Sequence, residues 1–311
     1  MRTVVSGVVD EQQSRQVLRS ALLEARSTGR PLKVLHAWST AYASPAGELD
    51  DLEGWCKERA EAQQLAMQRL TQALDEDVDE APVRAVVESL NGDPGDLLVR
   101  ASAEAGLLVV GARSHGALLG AVLGSASTHV LKHASCPVMI VPTTVAPGLF
   151  RRVVVGLDEE GHAHSALRWA FDAARRHGCP LVVLHALAPA SSPARRSIQR
   201  RDALHEGDVR SWLATVVDHA AREHSDVAVS LTVLVGSPRD VLQAEAGADD
   251  LLVLGSRGHA ILAEKLLGAV AVQCTQGATG TVVVVRAGQE RLDNPVEVDE
   301  MDKQATQSVR V

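Results

Sequence analysis

The 311 residues carry a formal net charge of −8, with 46% hydrophobic and 23% charged residues but only 2% aromatic side chains. A chain of this length suggests two domains, and its core has to be built from Val, Leu and Ala. Sparse rings and an acidic balance both argue against a nucleic-acid-binding surface. No stretch reaches the roughly 18 apolar residues of a membrane span, and the N-terminal MRTVVSGVVD runs straight into a strand pattern without a signal-type segment. The cysteines, Cys56, Cys136, Cys179 and Cys274, are scattered and form no close pair, so a cytoplasmic protein in a reducing compartment is expected.

Taken in chain order, Thr3 to Val9 predicts a first strand. Val17, Leu18, Ala21, Leu22 and Ala25 recur at helical spacing and predict a helix ended by Gly29 and Pro31. A second strand, Leu32 to Ala37, leads through a polar loop at Ser44-Pro45 to a long helix over Glu53 to Leu74, and Pro82 to Glu88 reads as a third strand. Pro94 opens a short helix at its favoured first-turn position. Leu107 to Val110 is the continuous apolar run that a buried parallel strand requires. After a glycine-bearing loop, a helix over Ser125 to His133 leads to a last strand, Pro137 to Val141.

The second half repeats the first. With Gly7 laid on Gly156, Leu18 falls on Leu167, Ala21 on Ala170 and Pro31 on Pro180, and Leu32-Lys33-Val34-Leu35-His36-Ala37 falls on Leu181-Val182-Val183-Leu184-His185-Ala186. After a loop of different length, Gly92-Asp93-Pro94 matches Gly236-Ser237-Pro238, Gly111-Ala112-Arg113 matches Gly255-Ser256-Arg257, and Gly124 matches Gly268. Punctuation shared over such a span marks a tandem duplication. Strands alternating with helices predict an α/β fold, each copy a parallel sheet with helices on both faces. The expected units are residues 1–146, residues 147–288 and an acidic, disordered tail over 289–311, with Pro142 to Gly148 as linker.

Beyond the fourth strand of each copy comes a glycine loop, GARSHGALLGAVLGSAS in copy one and GSRGHAILAEKLLGAVA in copy two. Glycine there lets backbone amides approach an anion, and a following helix N-terminus adds unpaired donors and a favourable dipole. Taken locally, the same glycines serve equally well as tight turns and a helix cap.

As an ordered set, these residues resemble the universal stress protein family in its tandem form. Its nucleotide-binding members carry G-x2-G-x9-G-[ST] after the fourth strand and an Asp at the end of the first. Copy two supplies Gly255, Gly258 and Gly268 at that spacing, with Asp158 after its first strand; copy one supplies Gly111, Gly124 and Ser125, followed by Ser127. The resemblance implies a five-stranded, Rossmann-like parallel core of the adenine-nucleotide α-hydrolase type. It also implies ATP held by the Asp and the glycine loop, with a divalent ion such as Mg²⁺ accompanying the triphosphate. Domains would pair through their last strands within one chain, with a dimer of whole chains left open. No settled catalytic reaction comes with the family. A slow ATPase would need a general base that neither loop supplies.

Both copies depart from the pattern. In copy one Val9 stands opposite Asp158, leaving only the neighbouring Asp10 to replace the adenine-facing carboxylate, and Ser114 stands at the second glycine. In copy two, Ala269 and Ala271 replace the hydroxyl residues. Copy two is therefore expected to be the fuller nucleotide site and copy one a partial phosphate site. Arg113 and Arg257 lie inside the loops, where they either pair with phosphate or stand exposed over the sheet end. The alternative is a nucleotide-free scaffold acting through unidentified protein partners.

Other chemistry finds little support. His129 and His133 share one helical face without a carboxylate or Cys at ligand spacing. His36 and His185 close the second strand of each copy, as a structural hydrogen bond or the wall of a cleft. His162 and His164 read as polar groups at a helix start, and Arg195-Arg196 and Arg200-Arg201 as a solvated loop. No G-x-S-x-G elbow suggests a serine nucleophile.

Overall fold

The computed structural model describes residues 2–40, 51–77, 81–114, 121–143, 149–158, 164–187, 206–256 and 268–286. In copy one, β1 (Thr3–Val8), α1 (Glu11–Thr28), β2 (Leu32–Trp38), α2 (Leu52–Glu76) and β3 (Ala85–Asn91) are followed by α3 (Pro94–Ser102) and β4 (Ala105–Ser114). A two-residue strand β5 (Ala121–Val122) folds back on β4, and α4 (Ser125–His133) then leads to β6 (Val138–Pro142). Copy two repeats the order as β7 (Arg152–Gly156), α5 (His164–His177), β8 (Leu181–Leu187), α6 (Glu206–Ala221), β9 (Val229–Val235), α7 (Pro238–Glu245), β10 (Asp250–Gly255), α8 (Ala269–Thr275) and β11 (Thr281–Val285).

The strands lie in the order β3-β2-β1-β4-β6-β11-β10-β7-β8-β9. Within each copy every neighbouring pair on this path is parallel. The copies meet where β6 and β11 pair antiparallel, with Val138, Met139 and Ile140 opposite Val284, Val283 and Val282. Joining the last strands turns two potential sheet edges into one buried seam. The seam residues are apolar and buried on both faces, as the all-buried pattern of both strands shows. One core lies under α1, α2, α5 and α6, built around Leu18, Leu22, Met67, Trp169, Phe171 and Leu213. The other lies under α3, α4, α7 and α8 around Leu98, Val130, Leu131, Leu242 and Cys274.

Matched punctuation has matched geometry. Gly29 and Gly178 both close their helices in the left-handed conformation, φ 64° and 61°, which a residue with a Cβ adopts only at a cost. Asp93 and Ser237 both cap helices that Pro94 and Pro238 open, accepting from Asp96 N and Asp240 N. Gly7 and Gly156 sit where the first strand touches the third helix of its copy: a Cβ would come within 2.9 Å of Leu98 and Leu242 respectively. The third strand begins at Ala85, three residues beyond its predicted start at Pro82. Proline cannot donate to the ladder, so Pro82 precedes the pairing rather than joining it.

Copy two is anchored at its start by a charge cluster. The buried Asp250 carboxylate accepts from Arg151 Nε and Arg152 Nε at 3.3 and 3.0 Å and from Gly247 N at 3.0 Å. Burial alone would raise this carboxyl, but the amide and the two guanidinium groups outweigh it and hold it below its ordinary range. Cys56, Cys136 and Cys274 are buried thiols and Cys179 is partly buried. Burial pushes Cys136 up to about 12 and Cys274 to about 11, so neither is a thiolate at neutral pH. The predicted linker and tail fall largely outside the described residues, as do Arg195, Arg196, Arg200, Arg201 and His162. Among the described residues no helix is long and apolar enough to cross a membrane.

Gly280, just ahead of β11, has no room for a side chain: a Cβ would collide with the Gly247 carbonyl oxygen and lie 3.1 Å from that of Asp250. Gly280→Ala is expected to lower stability by about 1–3 kcal/mol, measured as a shifted urea midpoint with unchanged slope.

Candidate functional site

Between β1 and β4 the strand order of copy one changes direction: β1 is followed outward by β2 and β3, and β4 by β6. Connections leaving the two strands therefore diverge, and a crevice opens beyond their carboxyl ends. A cleft of about 540 Å³ lies there, within the range of small-molecule sites. Its walls come from the ends of β1 (Gly7 to Val9), β2 (Leu35 to Ala37) and β4 (Val110 to Ala112), and from the starts of α3 and α4.

The α4 start is the polar wall. Gly124 is its N-cap, in the extended conformation at φ −70° and ψ 168°, and among the described residues no side chain caps the helix. The backbone there is one any residue adopts, and a Cβ would meet nothing within 4 Å. Fold and packing thus do not require glycine at this position. What glycine leaves bare is the first turn of α4, whose amides are orphan donors facing the cleft that Gly124, Ser125, Ala126 and Ser127 line. Ser125 is exposed. Ser127 is buried, and its hydroxyl donates to the Gly111 carbonyl at 2.9 Å. That bond ties helix to strand, so Ser127 positions the turn, and its proton is not directed at a ligand.

The opposite wall is apolar where the resemblance called for a carboxylate. Val9 is 53% exposed, its amide donating to Ser14 Oγ at 2.9 Å. Asp10 does not substitute: it is the N-cap of α1, its two oxygens accepting from Gln13 N at 2.8 Å and Gln13 Nε2 at 2.6 Å. His36 does form part of the wall. Its Nδ1 shares a 2.9 Å hydrogen bond with Ser89 Oγ, and burial lowers its basicity, so the ring is neutral at pH 7. His129 also lines the cleft, held through Nε2 by Asp96 at 3.1 Å. His133 is exposed, packs its ring on His129 at 4.4 Å between centroids and donates from Nδ1 to the His129 carbonyl. Asp93, Gln13 and His129 were not foreseen as wall residues. The Asp-Pro start of α3 was the available signal for the first, since it places a helix N-terminus at the same sheet end.

In copy two, Gly255 ends β10 opposite Val285, and Gly268 caps α8 at φ −61° and ψ 143°, again with no side-chain cap among the described residues. The Gly268 amide donates to the Ser256 carbonyl at 2.7 Å. Ala271, at the Ser127 position, is buried. Asp158 follows β7 with both carboxylate oxygens shielded from solvent. His185 donates from Nδ1 to the Leu157 carbonyl at 2.9 Å. Arg257 and Gly258 lie outside the described residues, as does the side chain of Arg113, whose backbone pairs with Val122.

Residues 1–142 and 149–286 each match the Universal stress protein family. The chain belongs to that family, in tandem form. A universal stress protein of Mycobacterium tuberculosis is 30% identical over 238 residues, 74% of each chain. One from Mycolicibacterium smegmatis is 29% identical over 289 residues, 91% of this chain and 96% of its own. Among solved structures, a universal stress protein from Archaeoglobus fulgidus shares the fold with a TM-score of 0.68 at 20% identity, covering 91% of this chain and 98% of its own. Membership accounts for the two α/β copies; the bare α4 turn and the apolar Val9 wall are read from this chain.

A serine at position 124 would satisfy the α4 amides from within. Gly124→Ser is therefore expected to leave stability unchanged or raise it by about a few tenths of a kcal/mol, checked by thermal melting of the ligand-free protein.

Proposed function

We propose that this chain is an adenine-nucleotide-binding stress-response regulator whose copy-one cleft receives the phosphates on the first turn of α4. The supporting observation is Gly124: the fold would accept a side chain there, yet none is present, and among the described residues no side chain caps the amides beneath, beside a nucleotide-sized cleft. Ser125 would add a hydroxyl to a phosphate oxygen. With Val9 in place of a carboxylate and Asp10 spent on α1, the adenosine end is held by apolar contact and shape. Adenine itself is supported by the family pattern. Gly111 and Gly124 carry that pattern here, while Asp158, Gly255, Gly258 and Gly268 carry it in copy two. Arg113 and Arg257 are the loop cations for either site. Among the described residues no group of three or more His, Cys, Asp or Glu could hold a metal, so a divalent ion such as Mg²⁺ would be carried by the phosphates.

The erosion of both motifs favours one rival, a scaffold that retains the fold and works through protein partners. Denaturing the purified protein and analysing the supernatant by absorbance and chromatography separates the two. Released adenine nucleotide, or a raised melting temperature in millimolar Mg-ATP, supports the regulator; neither together supports the scaffold. Losing one charge-assisted hydrogen bond to phosphate weakens binding roughly tenfold or more. Calorimetry should show at least that loss for Ser125→Ala and for Gly124→Ser. If Asp158→Ala abolishes binding while both copy-one variants retain it, the site belongs to copy two.

A further inference from the structure

The two copies are related by an approximate two-fold at the β6–β11 seam, and α1 packs beside α5 across it. A symmetric seam admits three pairings: copy one with copy two, copy one with itself, and copy two with itself. Backbone pairing and Val, Ile and Met side chains do not discriminate among them. A buried charge cluster does. Glu24 on α1, with its side chain 2% exposed, accepts from His177 Nε2 on α5 at 2.8 Å. Its other oxygen lies 3.6 Å from Arg176 Nη2. The Arg176 guanidinium stacks 5.5 Å from the Trp169 ring centre, and Phe150 meets the His177 ring edge-on at 4.9 Å. Burial would raise the Glu24 carboxyl, but the His177 hydrogen bond and the Arg176 charge outweigh it and hold it below its ordinary range.

This cluster occurs on one side of the pseudo-two-fold only. In the register that lays Gly7 on Gly156, Glu24 matches Ala173, and Arg176 and His177 match Ser27 and Thr28. The symmetric position thus brings together an alanine and two hydroxyl residues. Both hydroxyls turn back on their own helix, to the Glu24 carbonyl. Pairing copy one with copy one would set two Glu24 carboxylates against Ser27 and Thr28. Pairing copy two with copy two would set Arg176 and His177 against Ala173. Either way a charge is buried without its counter-charge, which is far costlier than burying the pair or neither. Discrimination by a penalised wrong partner is how self-similar surfaces become specific.

We propose that Glu24, Arg176 and His177 form a pairing code that commits each seam to unlike copies and rejects like with like. Three variants of the full chain reproduce the competing environments. Glu24→Ala gives Arg176 and His177 the surroundings of a copy-two self-pair. Arg176→Ser with His177→Thr gives Glu24 those of a copy-one self-pair. All three substitutions together give a neutral seam. Denaturant unfolding should show each partial variant losing at least tenfold more of its folded-to-unfolded ratio than the triple variant, which should stay near the parent. A partial variant without a cooperative transition, beside a triple variant that has one, is the same result in stronger form. Additive losses, or a triple variant as unstable as the worse partial one, would overturn the code and leave the cluster an ordinary contact.

Discussion

In a parallel sheet each strand hands its chain to a helix on one face or the other, and between β1 and β4 that choice reverses. The crevice left by the reversal sets what else this molecule can do. It exposes the ends of both strands, aims the first turns of α3 and α4 into one space, and needs no dedicated insertion to make a pocket. Gly7 allows α3 to close over β1, and the Ser127 hydroxyl straps α4 to Gly111. The cleft is thus framed by core packing, with only its lining left to vary.

Duplication gave the chain two such strand reversals, and the residues that follow them differ between the copies. Copy one carries the hydroxyls of Ser125 and Ser127 with Val9 at the carboxylate position; copy two carries Asp158 with Ala269 and Ala271 at the hydroxyl positions. The seam diverged as well. A symmetric apolar strand pair was overlaid with an asymmetric charge cluster, and Arg286 after β11 reaches back to the Leu131 carbonyl of α4 at 2.8 Å. The nearly parallel chemistry of the two halves therefore coexists with an interface that tells them apart.

Much of the fold was legible because it rests on local signals. The bounds of α4 follow from Gly124 ahead of the helix and the Cys-Pro turn beyond it, and the left-handed closures at Gly29 and Gly178 follow from glycine before a proline-led strand. Less legible was β3, where an exposed edge strand carries no clean alternation and Pro82 marks an approach rather than a start. The β5 fold-back is too short to leave a pattern. Gly111, Gly124 and Ser125, which line the cleft, were singled out by the family resemblance, since their spacing alone fits tight turns and a helix cap equally well. The fate of Asp10 was not: whether a carboxylate caps its own helix or reaches across a cleft is decided by geometry three residues away, at Gln13. The Glu24 cluster was beyond reach, since its partners lie on the other copy and nothing nearby in sequence marks them.

The amides at the start of α4 are the anion cradle on which the proposed nucleotide binding by this chain rests. The direct measurement is amide chemical shift in isotope-labelled full-length protein titrated with ADP. Saturable displacements concentrated at Ser125, Ala126 and Ser127, and removed by Gly124→Ser, are the expected result. Saturable binding that leaves those three resonances in place would contradict it.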